Sequence, residues 1–175
     1  MTVHRHSFAV IAIHWLSVVL LVLALATGMA LDELPRGDWR ETAQLGHFSF
    51  GVLLLAFTVL RVPARLFERS AHPTPAQLPW IYRAAQLIGW AMIVLMLLVP
   101  TTGLLDGWAH GRAVPLAGGW MWPVPFEVPG RELWGEAHET LAWALVWLVC
   151  VHMAAAAWHG WVLHDTTLKR IWFER

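Results

Sequence analysis

The sequence predicts an all-α fold, a four-helix transmembrane bundle, and three observations predict it. Of 175 residues, 58% are hydrophobic and only 14% are charged, which is too apolar for a soluble domain of this size. Four stretches lack Asp, Glu, Lys and Arg altogether: Ser7–Leu31, Thr42–Leu60, Ala84–Leu105 and Thr140–His164. Each is long enough to cross a hydrocarbon layer of ~30 Å, which takes about 20 helical residues. None alternates like a barrel strand, and in lipid only helices or closed barrels satisfy every backbone polar group.

Taken in order, the spans predict helices over about 7–31, 42–62, 80–105 and 136–164, within a single membrane-integral domain covering residues 1–175. The first run exceeds the core of a signal peptide and contains His14-Trp15, so it reads as a span. Between the second and third spans, Ser70–Pro79 carries Pro73, Pro75 and Pro79 and reads as a stiff connector. Residues 106–135 are rich in Gly, Pro and Trp, show little helical periodicity before Arg131, and are expected to fold over the outer face. No internal repeat is visible in the sequence.

Charge sets the orientation. Arg5, Arg61, Arg65, Arg69, Arg83, Lys169, Arg170 and Arg175 share the side of the termini, whereas only Arg36, Arg40, Arg112 and Arg131 lie opposite. By the positive-inside rule both termini are cytoplasmic. Many of the 13 tryptophans fall near span ends, as an interfacial belt requires. The 12 basic and 12 acidic residues cancel without forming a basic stripe, which excludes a nucleic-acid partner. Cys150 is the single cysteine and is expected to pack within the fourth helix. One cysteine excludes an intrachain disulfide, a four-cysteine cluster and a C-x-x-C-H haem attachment, so any haem is held non-covalently.

Four of the ten histidines lie in or at the edge of spans: His14 in the first, His47 in the second, His138 and His152 in the fourth. An imidazole inside a bilayer is costly and therefore a functional candidate; interhelical hydrogen bonding is the bland alternative. His138 and His152 are fourteen residues apart, close to four helical turns, so they share one face at two depths roughly 21 Å apart. Given antiparallel neighbours, depth pairs His14 with His152 on the inner side and His47 with His138 on the outer side. Two stacked cross-helix imidazole pairs match two six-coordinate b-type haems. Structural zinc takes four Cys or His ligands, and copper or di-iron sites lack carboxylate partners here.

The same fourteen-residue step places Gly28 on the His14 face at the outer level, where it is a candidate for clearing a porphyrin edge; Gly51, four after His47, is another. Plain helix contact explains either glycine equally well. Arg61, fourteen after His47, is a candidate propionate partner at the inner level or an ordinary positive-inside anchor.

At these residues the chain resembles the bacterial cytochrome b561 family. The similar segments are Ile13-His14-Trp15-Leu16, Gly46-His47 followed by Gly51, His72-Pro73-Thr74-Pro75, Trp134–Leu141, Val151–Ala157 and Asp165–Leu168, spread over nearly the whole chain. The resemblance implies a quinone-linked, two-haem electron-transfer protein of the bacterial inner membrane, with His14, His47, His138 and His152 as ligands. It also implies that some members pass electrons from superoxide at the periplasmic face to ubiquinone. The outer loops here carry nine acids against four arginines, a field that repels an anion unless the folded loop gathers Arg112, Arg131 and His110.

With both axial positions filled by protein, the expected chemistry is outer-sphere electron passage across the bilayer. A quinone acceptor needs a proton donor. His159, seven after His152, is the candidate, with Arg5, His6, His164 and Lys169 around the same mouth; an interfacial role or alternative axial ligation are the other readings of His159. The electron donor stays open, superoxide among the candidates. Two further readings are a haem-bearing membrane anchor relaying electrons for a separate dehydrogenase or hydrogenase, and a non-redox bundle braced by its histidines.

Overall fold

The computed structural model describes residues 7–67, 79–164 and 168–172. Arg5, His6, the connector before Pro79 with its His72-Pro73-Thr74-Pro75 motif, Asp165–Thr167 and the Lys169 side chain lie outside the described residues. All four expected spans are helices: α1 Phe8–Glu33, α2 Asp38–Phe67, α3 Pro79–Ala109 and α4 Arg131–Trp161. Each is long and apolar enough to cross a membrane. α2 and α3 outrun the charge-free stretches at both ends, because such stretches mark only the part immersed in hydrocarbon, whereas α4 starts before the expected 136 and stops at Trp161, short of the expected 164. α4 begins at Arg131, directly after Gly130, whose φ of 82° turns the chain into it.

Local chemistry fixes the ends. Ser7 caps α1, its side chain accepting from the backbone N–H of Val10. At the far end Arg40 donates to the carbonyls of Leu31 and Leu34, placing a cation at the negative pole of α1. Asp38 and Glu41 lie in the first turn of α2, where acids complement the helix dipole. Pro63 and Pro100 sit inside α2 and α3, as membrane helices tolerate when neighbours surround them.

α1 packs on α2, α3 on α4, and α2 on α3 joins the two helical hairpins, while α1 and α4 do not pack closely against each other. A mid-membrane layer of Leu20, Leu21, Leu54, Met96 and Leu145 forms the main core. Four of these occupy a shared seven-residue step, about two helical turns. α1 reads His14–Leu21–Gly28, α2 His47–Leu54–Arg61, α3 Gly89–Met96–Gly103, and α4 His138–Leu145–His152. The apolar layer thus separates two polar levels.

The 106–135 segment contains an element that composition did not predict, an antiparallel pair of strands, β1 Val114–Leu116 and β2 Trp120–Trp122, in register Leu116 to Trp120. Gly118 and Gly119, with φ of 83° and 79°, make the turn. The strand pair is tied to the bundle because the Ala117 N–H donates to Ser49 Oγ at 2.8 Å. Val114 is only 1% exposed and packs with Leu104, Trp108, Ala109 and Val128 in a second core. The hairpin therefore closes one end of the bundle, the end opposite the termini.

Trp39, Trp80, Trp120 and Trp161 are exposed at element ends, as a belt requires. Others turn inward instead. Trp108 packs edge-on to Trp122, Trp134 Nε1 donates to the Pro129 carbonyl, and Trp15 Nε1 donates to the Ile171 carbonyl. Cys150 does not pack within the bundle as expected; it is exposed on α4.

Candidate functional site

At the hairpin end the structure brings His47 of α2 and His138 of α4 face to edge, ring centres 5.9 Å apart and planes at 89°. Each ring is fixed from behind. His47 Nδ1 donates to the Ala24 carbonyl at 2.9 Å and His138 Nδ1 donates to the Val99 carbonyl at 2.8 Å. With both Nδ1 protons committed, Nε2 is the nitrogen each ring has left for a metal. Two imidazoles holding one ion from opposite sides at a bond length of ~2.0 Å have ring centres about 6 Å apart. Both rings line one apolar cleft with Leu21, Gly51, Leu54 and Leu145, so the donor set and its surroundings fit an iron porphyrin.

The two rings are held by matching devices on α1 and α3. A Cβ on Gly28 would stand 2.9 Å from Cε1 and Nδ1 of His47, and one on Gly103 would stand 2.9 Å from Cε1 of His138. Gly28 therefore makes room for the histidine ring. Gly51 has only Pro100 Cβ near its missing side chain, at 4.0 Å, and opens onto the cleft. Gly103 escaped the sequence reading because α3 carries no histidine from which to count.

At the end bearing the termini, the arrangement differs. Arg61 Nη2 donates to Nδ1 of His14 at 3.1 Å. Arg61 is thus held at the level of His14, one member of the second expected pair. One turn further along α2, Arg65 donates to Gln86 Oε1 at 3.0 Å and lies 5.1 Å from the Trp90 ring centre. The absent side chain of Gly89 makes room for that guanidinium. Sequence reading placed Arg65 among loop charges, yet it belongs to this level. His159 lies in the last turn of α4, next to Gly160, which Leu168 of the short 3-10 turn Leu168–Ile171 covers. His164, also expected at this mouth, turns its Nδ1 to the Val162 carbonyl. Among the described residues no three His, Cys, Asp or Glu side chains converge.

Beyond the His47–His138 cleft, toward the hairpin, Gln44, Phe48, Gly107, Arg112, Val114 and Met121 line a cavity of about 340 Å³. Phe48 borders both spaces. Arg131 Nε donates to the Ala109 carbonyl, His110 Nδ1 lies 3.4 Å from Asp106 Oδ1 and the Arg112 backbone N–H donates to the Gly107 carbonyl, so the three residues gather around the end of α3.

A membrane bundle with a cross-helix histidine pair of this kind fits a class, the multi-pass b-type cytochromes that move electrons. A profile described as prokaryotic cytochrome b561 matches residues 5–174. The chain belongs to that family, whose members are haem-bearing electron-transport proteins of the inner membrane. Similar proteins include cytochrome b561 homolog 2 of Escherichia coli (strain K12), 30% identical over 173 residues that cover 97% of this chain and 92% of that one. The probable superoxide oxidase CybB of Yersinia pestis is 25% identical over 171 residues, 95% of each chain. Cytochrome b561 homolog 1 of Escherichia coli is 26% identical over 178 residues, 96% of this chain and 97% of that one.

Proposed function

We propose that the protein carries electrons across the membrane through two bis-histidine b haems and delivers them to the quinone pool, with superoxide the favoured donor. The observation that carries this reading is the His47–His138 pair, set 5.9 Å apart with both Nδ1 atoms tied to backbone carbonyls. Haem held by such a pair would supply a one-electron ferric–ferrous couple.

The chain's own residues do the rest. His47 and His138 would hold one iron, and His14 and His152 would hold the other. Arg61, which donates to His14 Nδ1, would pair with a propionate carboxylate by a charge-assisted contact. Arg65, one turn away, adds a second positive charge at that level. The Leu21, Leu54, Met96 and Leu145 layer keeps water out between the two levels. His159, at the end of α4, holds the proton that a reduced quinone needs. At the hairpin end, Arg112 and Gln44 receive the donor in the cavity beside Phe48. The name of the Yersinia pestis relative, probable superoxide oxidase, supports an anionic donor, as does the gathering of Arg112, Arg131 and His110 on an otherwise acidic face.

Pyridine haemochrome quantification on purified protein tests the reading, with two haems per chain expected. His47→Ala or His138→Ala removes one haem and leaves the other; His14→Ala or His152→Ala does the reverse. Equal loss of both haems in all four variants overturns the pairing.

A further inference from the structure

The carbonyls that receive the histidine protons are shared, and in the same way on two helices. Thr27 Oγ1 donates to Leu23 O at 2.7 Å and also to Ala24 O at 3.1 Å, the carbonyl that His47 Nδ1 reaches. Thr102 Oγ1 donates to Leu98 O and Val99 O, both at 2.9 Å, and Val99 O is the carbonyl that His138 Nδ1 reaches. In each case the acceptor lies three residues before the threonine, and the glycine that clears the ring follows the threonine directly: Ala24, Thr27, Gly28 on α1; Val99, Thr102, Gly103 on α3. Four other hydroxyls inside the spans behave differently. Ser17, Ser49, Thr58 and Thr101 each donate to the single carbonyl four residues back.

A carbonyl oxygen has two lone pairs, and inside a helix it already serves the backbone ladder. A hydroxyl donating to the same oxygen weakens it as an acceptor for the imidazole. The proton then stays closer to Nδ1, and the ring gives less electron density to a metal at Nε2. We propose that Thr27 and Thr102 are positioning residues that, acting through Ala24 O and Val99 O, set the donor strength of His47 and His138 and so raise the reduction potential of the haem between them. This rests on His47 and His138 being its axial ligands. Thr102 exerts the larger effect, since its hydroxyl divides evenly between two carbonyls whereas Thr27 favours Leu23.

The test is a spectroelectrochemical titration of the purified haem-loaded protein, following the haem that His138→Ala removes. Replacing the hydroxyl by a methyl of equal size (Thr27→Val, Thr102→Val) frees the carbonyls. In the double variant the ferric-to-ferrous ratio at fixed poise rises about tenfold, equivalent to a potential about 59 mV more negative for one electron. Thr102→Val alone accounts for most of that shift, Thr102→Ser restores the parent value, and Thr101→Val, which lacks the shared carbonyl, leaves it unchanged. Thr102→Ala serves as a second hydroxyl-free variant with no added bulk. Full haem content with an unchanged potential in both Thr102→Val and Thr102→Ala overturns the inference. The ligand assignment fails separately: if His47→Ala and His138→Ala keep the full haem complement, the site itself is wrong whatever the threonine variants show.

Discussion

A Cβ at Gly103 would stand 2.9 Å from Cε1 of His138, closer than side-chain atoms normally come, so the ring or the helix has to move. Overpacking of this kind costs about 1–3 kcal/mol, and here the displaced group is a haem-ligand candidate. Gly103→Ala and Gly28→Ala are therefore expected to lower haem content at the His47–His138 level, read by pyridine haemochrome, while leaving the other level loaded. Gly51→Ala makes a sharper probe. Its new methyl meets nothing nearer than Pro100 Cβ at 4.0 Å, so the protein alone accommodates it. Loss of haem from Gly51→Ala with unchanged thermal unfolding of the haem-free protein is the expected outcome, and it would show that Gly51 clears the porphyrin. Full haem content in Gly51→Ala would return that glycine to ordinary helix packing.

Among the elements, the strand pair is held by a polar tie and an apolar anchor. Ser49→Ala leaves the Ala117 N–H without its acceptor on the α2 surface, a loss of about 1 kcal/mol. The expected result is faster trypsin cleavage after Arg112 in the variant, with helical content by circular dichroism unchanged. The helices were legible in the sequence because charge-free runs of membrane length have one structural solution. The strand pair was not, since three-residue strands containing Pro115 and flanked by Trp and Gly carry no alternation to detect. The site divides on the same line. Fourteen-residue steps along one helix placed Gly28 at the His47 level and Arg61 at the His14 level, because the step belongs to the helix alone. Which side chain meets which across helices depends on their mutual rotation, and that left three things unread: Arg61 reaching His14, Gly103 behind His138, and Gly89 behind Arg65. The twofold recurrence of Thr-Gly in α1 and α3 was equally invisible, as two residues in a hydrophobic run do not mark a repeat.

For the whole molecule the remaining question is which face each level looks toward. The hairpin closes the end opposite the termini, and the termini end carries eight of the twelve basic residues. Orientation follows Lys and Arg near span ends, while Asp and Glu contribute little, so the nine acids opposite do not offset the bias. The termini end is expected in the cytoplasm and the strand pair in the periplasm. Two exposed positions test this in a Cys150→Ala background: Glu127 beside the strand pair and Arg83 near the start of α3. A membrane-impermeant maleimide added to intact spheroplasts should label Glu127→Cys at once and Arg83→Cys only after permeabilisation. The opposite pattern would invert the path, placing the Arg112 cavity in the cytoplasm and His159 outside. With the expected orientation, a donor generated outside the cell membrane meets the cavity beside Phe48 first, the apolar Leu21–Leu54–Met96–Leu145 layer separates it from the second level, and His159 stands where cytoplasmic water can resupply protons. Reconstituted vesicles of known sidedness should then reduce an internal quinone from an external donor, and Leu145→Glu, a charge set into that 1%-exposed layer, should abolish haem-loaded folding because nothing there can pair it.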